Sequence, residues 1–273
     1  MTTYYYAPSG LPQLRLSDLL SHTDTEAQVI LSSQRGRVFI AIGGNTAIGF
    51  ELCKILYPAG ATVYVAHLSK KKSEGAIESR KSTIPNPKMS GSLKFLQLDL
   101  NDLRIVQAAA DSFASQESKL DVLWSNTGTG ANGPASSGHP NGITGAGSPP
   151  NGIELSVLCT GIPNKPAVNY GASKAGTWLL SRAFARRYMD DEIVSFCVNP
   201  GYLKAASIDG TPGRGDPVFG AYTVLFTGLS SDVQVEDSAA YLIPWGRIRE
   251  HKGTPKHDFI RAGRAVEEVG WCE

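Results

Sequence analysis

One stretch, residues 37–66, limits the fold of this chain more than any other. Val38-Phe39-Ile40-Ala41-Ile42 is a run of strand formers that ends directly in Gly43-Gly44. Behind the glycines, Ile48, Phe50, Leu52, Cys53 and Leu56 recur at helical spacing as far as Gly60, and that period marks one buried helix face. A second apolar run comes next at Ala61–Ala66. Strand, glycine turn, helix and strand in this order make one βαβ crossover. Such a crossover joins parallel strands, and parallel strands need helices on both sheet faces.

The same alternation continues. A charged helical stretch is predicted from Ser69 to about Lys81, then a turn at Pro85 and Pro87. Leu93–Leu98 reads as a third strand ending at Asp99, and Leu103, Val106, Ala110 and Phe113 give the next segment a helical period to Glu117. Leu120–Trp124 is a fourth strand running into Ser125-Asn126-Thr127-Gly128. Further on, a helix is predicted over 169–189, a strand at Ile193–Val198 ending in Asn199-Pro200-Gly201, and a Gly/Pro-rich loop over 209–219. A helix over 220–229 and a last strand at Ala240–Ile243 close the series. Strands and helices in turn predict an α/β protein with a doubly wound parallel sheet. The chain divides into an N-terminal extension, 1–36, with a short amphipathic helix around Leu14–Leu20, and a single domain, 37–273.

The rhythm breaks once. Between Thr127 and Gly152 stand eight glycines, four prolines, three asparagines and three serines, and Ile143 is the only large aliphatic residue. No helix can be drawn through it, and unstructured loops beyond about 12–15 residues are uncommon inside compact domains. The segment is therefore expected to be an irregular insertion. After it, Ile153–Thr160 is an apolar run that suits a buried strand, while Gly152-Ile153-Glu154-Leu155 also suits the end of a helix.

Composition sets the outer bounds. Hydrophobic residues are 41% and charged residues 19% of 273, enough for a substantial core. A formal net charge of +1 gives no electrostatic reason to expect a nucleic acid or an anionic membrane as partner,. Cys53, Cys159, Cys197 and Cys272 form no CxxC pair and have no His at ligand spacing, so neither a zinc site nor a disulfide framework is expected,. No run nears the ~20 apolar residues of a membrane span, and the start of the chain has no signal-peptide pattern,. A cytoplasmic protein with no metal is the expectation.

The chemistry sits at strand ends. In Gly43-Gly44-Asn45-Thr46-Ala47-Ile48-Gly49 a glycine turn opens a helix, where backbone N–H groups and the helix N-terminus can receive a pyrophosphate,. A tight structural turn is the competing account. Asp99 ends the third strand, where it could meet an adenine or cap the next helix,. Tyr170 and Lys174 lie four apart, a spacing that puts both on one helix face,. A free Tyr titrates at about 10, and a neighbouring ammonium favours its phenolate. Such a Tyr can exchange a proton with a carbonyl or hydroxyl while a nicotinamide exchanges hydride.

These motifs in this order resemble the short-chain dehydrogenase/reductase family, and the closing Tyr241-Leu242-Ile243-Pro244-Trp245-Gly246 is similar to fungal members related to retinol dehydrogenases. The resemblance implies a Rossmann-type fold. It also implies an NADP-dependent oxidoreductase interconverting a carbonyl and an alcohol on a small or medium organic substrate, in fungal secondary metabolism. It assigns Tyr170 and Lys174 to catalysis. It assigns Gly43, Asn45, Ile48, Gly49, Lys70, Asp99, Asn126, Gly128, Gly201 and Leu203, together with Tyr170 and Lys174, to cofactor binding. The second strand is followed by His67-Leu68-Ser69 rather than an acidic residue, which favours NADP over NAD, and Lys70-Lys71-Lys72 could meet a 2′-phosphate or simply face solvent,.

The chain also departs from the family. Ala47 replaces the middle glycine of the turn, and Ala205 stands where a Thr often holds the nicotinamide amide. From 129 to 169 there is room for the family's central helix or for the strand carrying its catalytic Ser, but not for both. Ser156, Cys159 and Thr160 are the nearest candidates for that Ser, and none fits its usual spacing to the Tyr. The helix in question commonly makes the family's dimer contact, so a homo-oligomer is left open. The alternative reading is a catalytically impaired pseudoenzyme that binds dinucleotide or a partner protein.

Overall fold

The computed structural model describes residues 2–6, 33–83, 91–100, 102–126, 166–188, 190–191, 193–203 and 215–248. Eight strands form one sheet: β1 (Thr2–Tyr6), β2 (Val38–Ile42), β3 (Thr62–His67), β4 (Ser92–Gln97), β5 (Val122–Ser125), β6 (Val194–Val198), β7 (Tyr241–Ile243) and β8 (Arg247–Ile248). Among the described residues five α-helices accompany them: α1 (Ala47–Leu56), α2 (Lys70–Thr83), α3 (Leu103–Ala114), α4 (Pro166–Arg187) and α5 (Pro217–Leu229). The strand order is β4-β3-β2-β5-β1-β6-β7-β8.

Side chains alternate across the pleat and build a core on each face. On one face Phe39, Ala41, Val63, Val65, Trp124 and Phe196 pack with Leu52 and Leu56 of α1 and with Val224 and Leu225 of α5. On the other, Val38, Ile40, Tyr64 and Leu96 meet Ala109 and Phe113 of α3. Further along that face, Cys197 and Tyr241 meet Ala175 and Trp178 of α4. Phe39 and Trp124, neighbours on β2 and β5, stack at 5.4 Å and 19°. The doubly wound α/β fold expected from the sequence is therefore observed.

Two features differ from expectation. Helix α5 starts at Pro217, inside the span expected to be loop, because Asp216 caps it by accepting from the Val218 N–H at 3.0 Å and Pro217 suits a first helical turn,. Second, the sheet is not wholly parallel. Residues 2–6, set apart in the sequence as part of an extension, form β1, antiparallel to β5 on one side and to β6 on the other. Thr2, Thr3 and three tyrosines are β-branched and aromatic, the residues that suit a pleated surface,. In the sheet β1 lies between β5 and β6, and the apolar run at 153–160 lies outside the described residues.

A candidate dinucleotide site at the carboxyl edge

Register aligns the strand ends that matter. Ile42 pairs with Ala66 of β3 and with Ser125 of β5, so Gly43, His67 and Asn126 leave the sheet at one level. Open α/β sheets bind ligands at this edge. Gly43 makes the turn with φ +73°, and its N–H donates to the Ala66 carbonyl at 2.9 Å. Gly49 is needed for close approach: a Cβ there would stand 2.5 Å from the Gly43 carbonyl oxygen and 2.8 Å from the Gly44 Cα. Gly43 and Gly49 thus fold the turn tightly onto the start of α1, the arrangement of backbone N–H groups and helix N-terminus that suits a dinucleotide's pyrophosphate,. Asn45 comes next in the turn and is partly exposed. Ala47 takes φ +46°, a left-handed conformation that glycine adopts freely and alanine does not,.

A residue that the sequence does not single out supports this turn from below. Arg80 of α2 is fully buried. Its Nη2 donates to the Gly44 carbonyl and its Nε to the Phe50 carbonyl at 3.3 Å, while the guanidinium lies 4.1 Å from the Phe50 ring centre. Nη1 has no partner, and burial pulls the guanidinium below its ordinary pKa. Little in the sequence points to this role, because Arg80 sits among charged residues on a helix that looks solvent-facing.

Of the remaining predicted residues, several converge. Ile48 and Leu203 meet over Gly220 of α5, where a Cβ would be 2.4 Å from Leu203 Cδ1 and 3.0 Å from Ile48 Cδ1. Gly201 takes φ +106°, and its N–H donates to Asn199 Oδ1 at 3.0 Å, which fixes the turn after β6. Asp99 lies just past β4, and the helix-cap alternative for it falls away: Asp102 caps α3, accepting from the Arg104 N–H at 3.1 Å. Lys70 opens α2 in an exposed position, 3.8 Å from Glu74, and Lys71 and Lys72 are exposed beside it. His67 Nδ1 accepts from the Ser69 N–H at 3.0 Å at the end of β3. Gly128, Ser156, Cys159, Thr160 and Ala205 lie outside the described residues.

Tyr170 and Lys174 both fall on α4. Lys174 is half-buried, and burial lowers its pKa, with the nearby Cys197 thiol acting in the opposite direction. Cys197 itself is buried on β6 and pushed up to about 12 by loss of solvent. Among the described residues no group of His, Cys, Asp and Glu could hold a metal ion, and no helix is long and apolar enough to cross a membrane.

Comparison with known proteins agrees with this geometry. The family model for short chain dehydrogenase matches residues 37–143. The short-chain dehydrogenase/reductase iacJ of Pestalotiopsis fici is 36% identical, with 92% of this chain and 93% of the relative covered. Bet4 of Neocamarosporium betae, described in the same words, is 30% identical over 87% and 86% of the two chains. The alignment to iacJ runs to 311 positions, more than the 273 residues here, so that relative carries residues this chain lacks. Among solved structures, L-sorbose reductase from Gluconobacter frateurii, complexed with NADPH and L-sorbose, superposes with a TM-score of 0.56 at 17% identity, covering 77% of this chain and 95% of that one. A hydroxysteroid dehydrogenase from Escherichia coli gives 0.57 at 22%, covering 78% and 97%. With a glycine turn, sheet and relatives in agreement, the chain belongs to the short-chain dehydrogenase family.

Proposed function

We propose that this protein is an NADP-dependent oxidoreductase that interconverts a carbonyl and an alcohol on a small or medium organic substrate. The observation that carries the proposal is the pairing of an open glycine cradle at Gly43–Gly49 with a helix bearing Tyr170 and a half-buried Lys174. When bound, a nicotinamide would exchange hydride with the substrate carbon, as donor in reduction and acceptor in oxidation. Tyr170 then gives its phenolic proton to the carbonyl oxygen on reduction, or takes a proton from the hydroxyl on oxidation. Lys174 stabilises the phenolate by its charge and holds the ribose, and Asn126 at the end of β5 supports it. Asp99 contacts the adenine, while Gly201 and Leu203 close over the nicotinamide side.

The preference for NADP rests on the residues at the end of β3. His67-Leu68-Ser69-Lys70 offers no carboxylate to a ribose 2′-hydroxyl, and exposed Lys70 at the start of α2 suits a 2′-phosphate,. The fungal relatives suit a biosynthetic role, which this reading places in secondary metabolism, and a cytoplasmic location is part of the same reading. Titration with NADPH and NADH, followed by nicotinamide fluorescence, tests the reading. Saturable binding with NADPH preferred is expected, and no binding to either would overturn it.

A further inference from the structure

Helix α1 opens without the groups that usually satisfy a helix N-terminus. Among the described residues, Thr46 at its N-cap makes no side-chain cap bond, its first turn holds no acidic residue, and the Asn45 N–H finds no acceptor. Orphan N–H groups and the helix dipole leave this end positive. The fold sets a second positive group against it. Arg80 is fully buried, with Nη2 donating to the Gly44 carbonyl and Nε to the Phe50 carbonyl in the first turn of α1.

Two positive groups held together in the core cost free energy, and the protein offers little to offset them. Among the described residues Arg80 makes no ion pair, and its buried Nη1 has no partner. The charge of Glu51 acts on Arg80, but the Glu51 carboxylate pairs with Lys54 at 3.2 Å. An anion at the turn would answer both positive groups.

The Gly44 carbonyl and the Asn45 N–H belong to one peptide unit. A charged donor on the carbonyl polarises that unit, which makes its N–H a stronger donor in turn. We infer that Arg80 is a positioning residue for the cofactor, acting through the Gly44–Asn45 peptide so that the Asn45 N–H donates to the pyrophosphate of the dinucleotide. This rests on the oxidoreductase reading above. The guanidinium stays buried throughout, and neither it nor the peptide gives up a proton.

The experiment titrates the full chain and its Arg80→Lys and Arg80→Gln variants with NADPH at pH 7, and with ADP and adenosine as competitors. Both replacements lose the fork, but only lysine keeps the charge. Arg80→Gln is expected to weaken NADPH and ADP by at least about tenfold, and Arg80→Lys should bind both at least about threefold more tightly than Arg80→Gln. Adenosine carries no phosphate and should bind all three proteins alike. Wild-type affinity in Arg80→Gln, or equal affinities in the two variants, would reduce Arg80 to a structural tie and overturn the inference. An equal loss for adenosine would do the same. A further measurement needs no variant to fold: in the nitrogen-edited NMR spectrum of the wild-type protein, ADP should move the Asn45 amide proton downfield, and an unmoved resonance also overturns the inference. Failure of the oxidoreductase reading shows differently, as a wild-type chain that binds neither NADPH nor NADH, and that result overturns both.

Discussion

The guanidinium of Arg80 holds the carbonyl of Gly44, tying the last turn of α2 to the turn between β2 and α1. It also holds the Phe50 carbonyl, so one buried side chain fixes two points on either side of the cradle. Both acceptors are neutral carbonyls, so the positive charge is held against the glycine turn without a carboxylate to neutralise it through these bonds.

Arg80→Lys keeps the charge and loses the fork, because one ammonium cannot span both carbonyls in the same plane. Hydrogen bonds from a charged donor are worth roughly 1.5–3 kcal/mol each. The variant is expected to lose about 2 kcal/mol of stability in urea unfolding, and to bind NADPH more weakly. A variant with wild-type stability and affinity would show that the fork is dispensable.

Ala47 and Gly49 make opposite predictions within one turn. Ala47 stands at φ +46°, where an L side chain costs about 1–2 kcal/mol,. Ala47→Gly relieves that cost but adds chain entropy to the unfolded state. A net gain of about 0.5–1 kcal/mol in denaturant unfolding is expected.

Gly49→Ala meets the backbone instead, with the new Cβ 2.5 Å from the Gly43 carbonyl oxygen. Nothing flexible can move aside, so the turn must open. Overpacking of this kind costs about 1–3 kcal/mol. NADPH titration of Gly49→Ala should show no saturable binding, and unfolding should shift to lower urea.

Much of the fold is legible in the sequence, for definable reasons. Val38–Ile42 and the glycines after it announce a crossover because strand, turn and helix periods change within a few residues. Asn199 and Gly201 are legible because an Asx-type turn needs those residue types,. Arg80 is not, since burial of an arginine depends on the neighbouring helix and sheet, which helical spacing does not reveal. Strand β1 escapes for a different reason. Thr2–Tyr6 has clear strand propensity, but five residues do not say which strands they will join, and its partners lie more than a hundred residues away. The place between β5 and β6 is visible only as a shortage of chain between 129 and 169.

Cys53 and Cys197 are expected to be silent thiols. Both are buried, burial raises the pKa of each, and Cys197 is pushed up to about 12. The thiolate is the reactive form, so at pH 8 neither should react with DTNB in the folded protein. Peptide mapping should find both labelled only after urea is added. Labelling of Cys197 in the native state would mean that the α4 face of β6 opens readily.

Lys174 gives a pH dependence whose sign is set by its burial. Loss of solvent lowers its pKa in the folded chain, whereas an unfolded lysine titrates at about 10.4. Between those two values the unfolded state binds more protons, so stability from this group rises with pH. Below the lowered value the penalty of a half-buried ammonium is present in full. Lys174→Met removes that penalty. The variant should therefore be more stable than wild type at neutral pH, and its advantage should shrink as pH climbs from the lowered value through about 10.4. Urea unfolding of both proteins from pH 7 to 11 measures this difference, in which the titration of all other groups largely cancels. A difference that stays flat across the range would show that the charge on Lys174 is fully compensated in the folded state. Turnover should be lost in the same variant at every pH, so the residue would be stabilising to remove and costly to lack, as expected of a charge kept for chemistry rather than for folding.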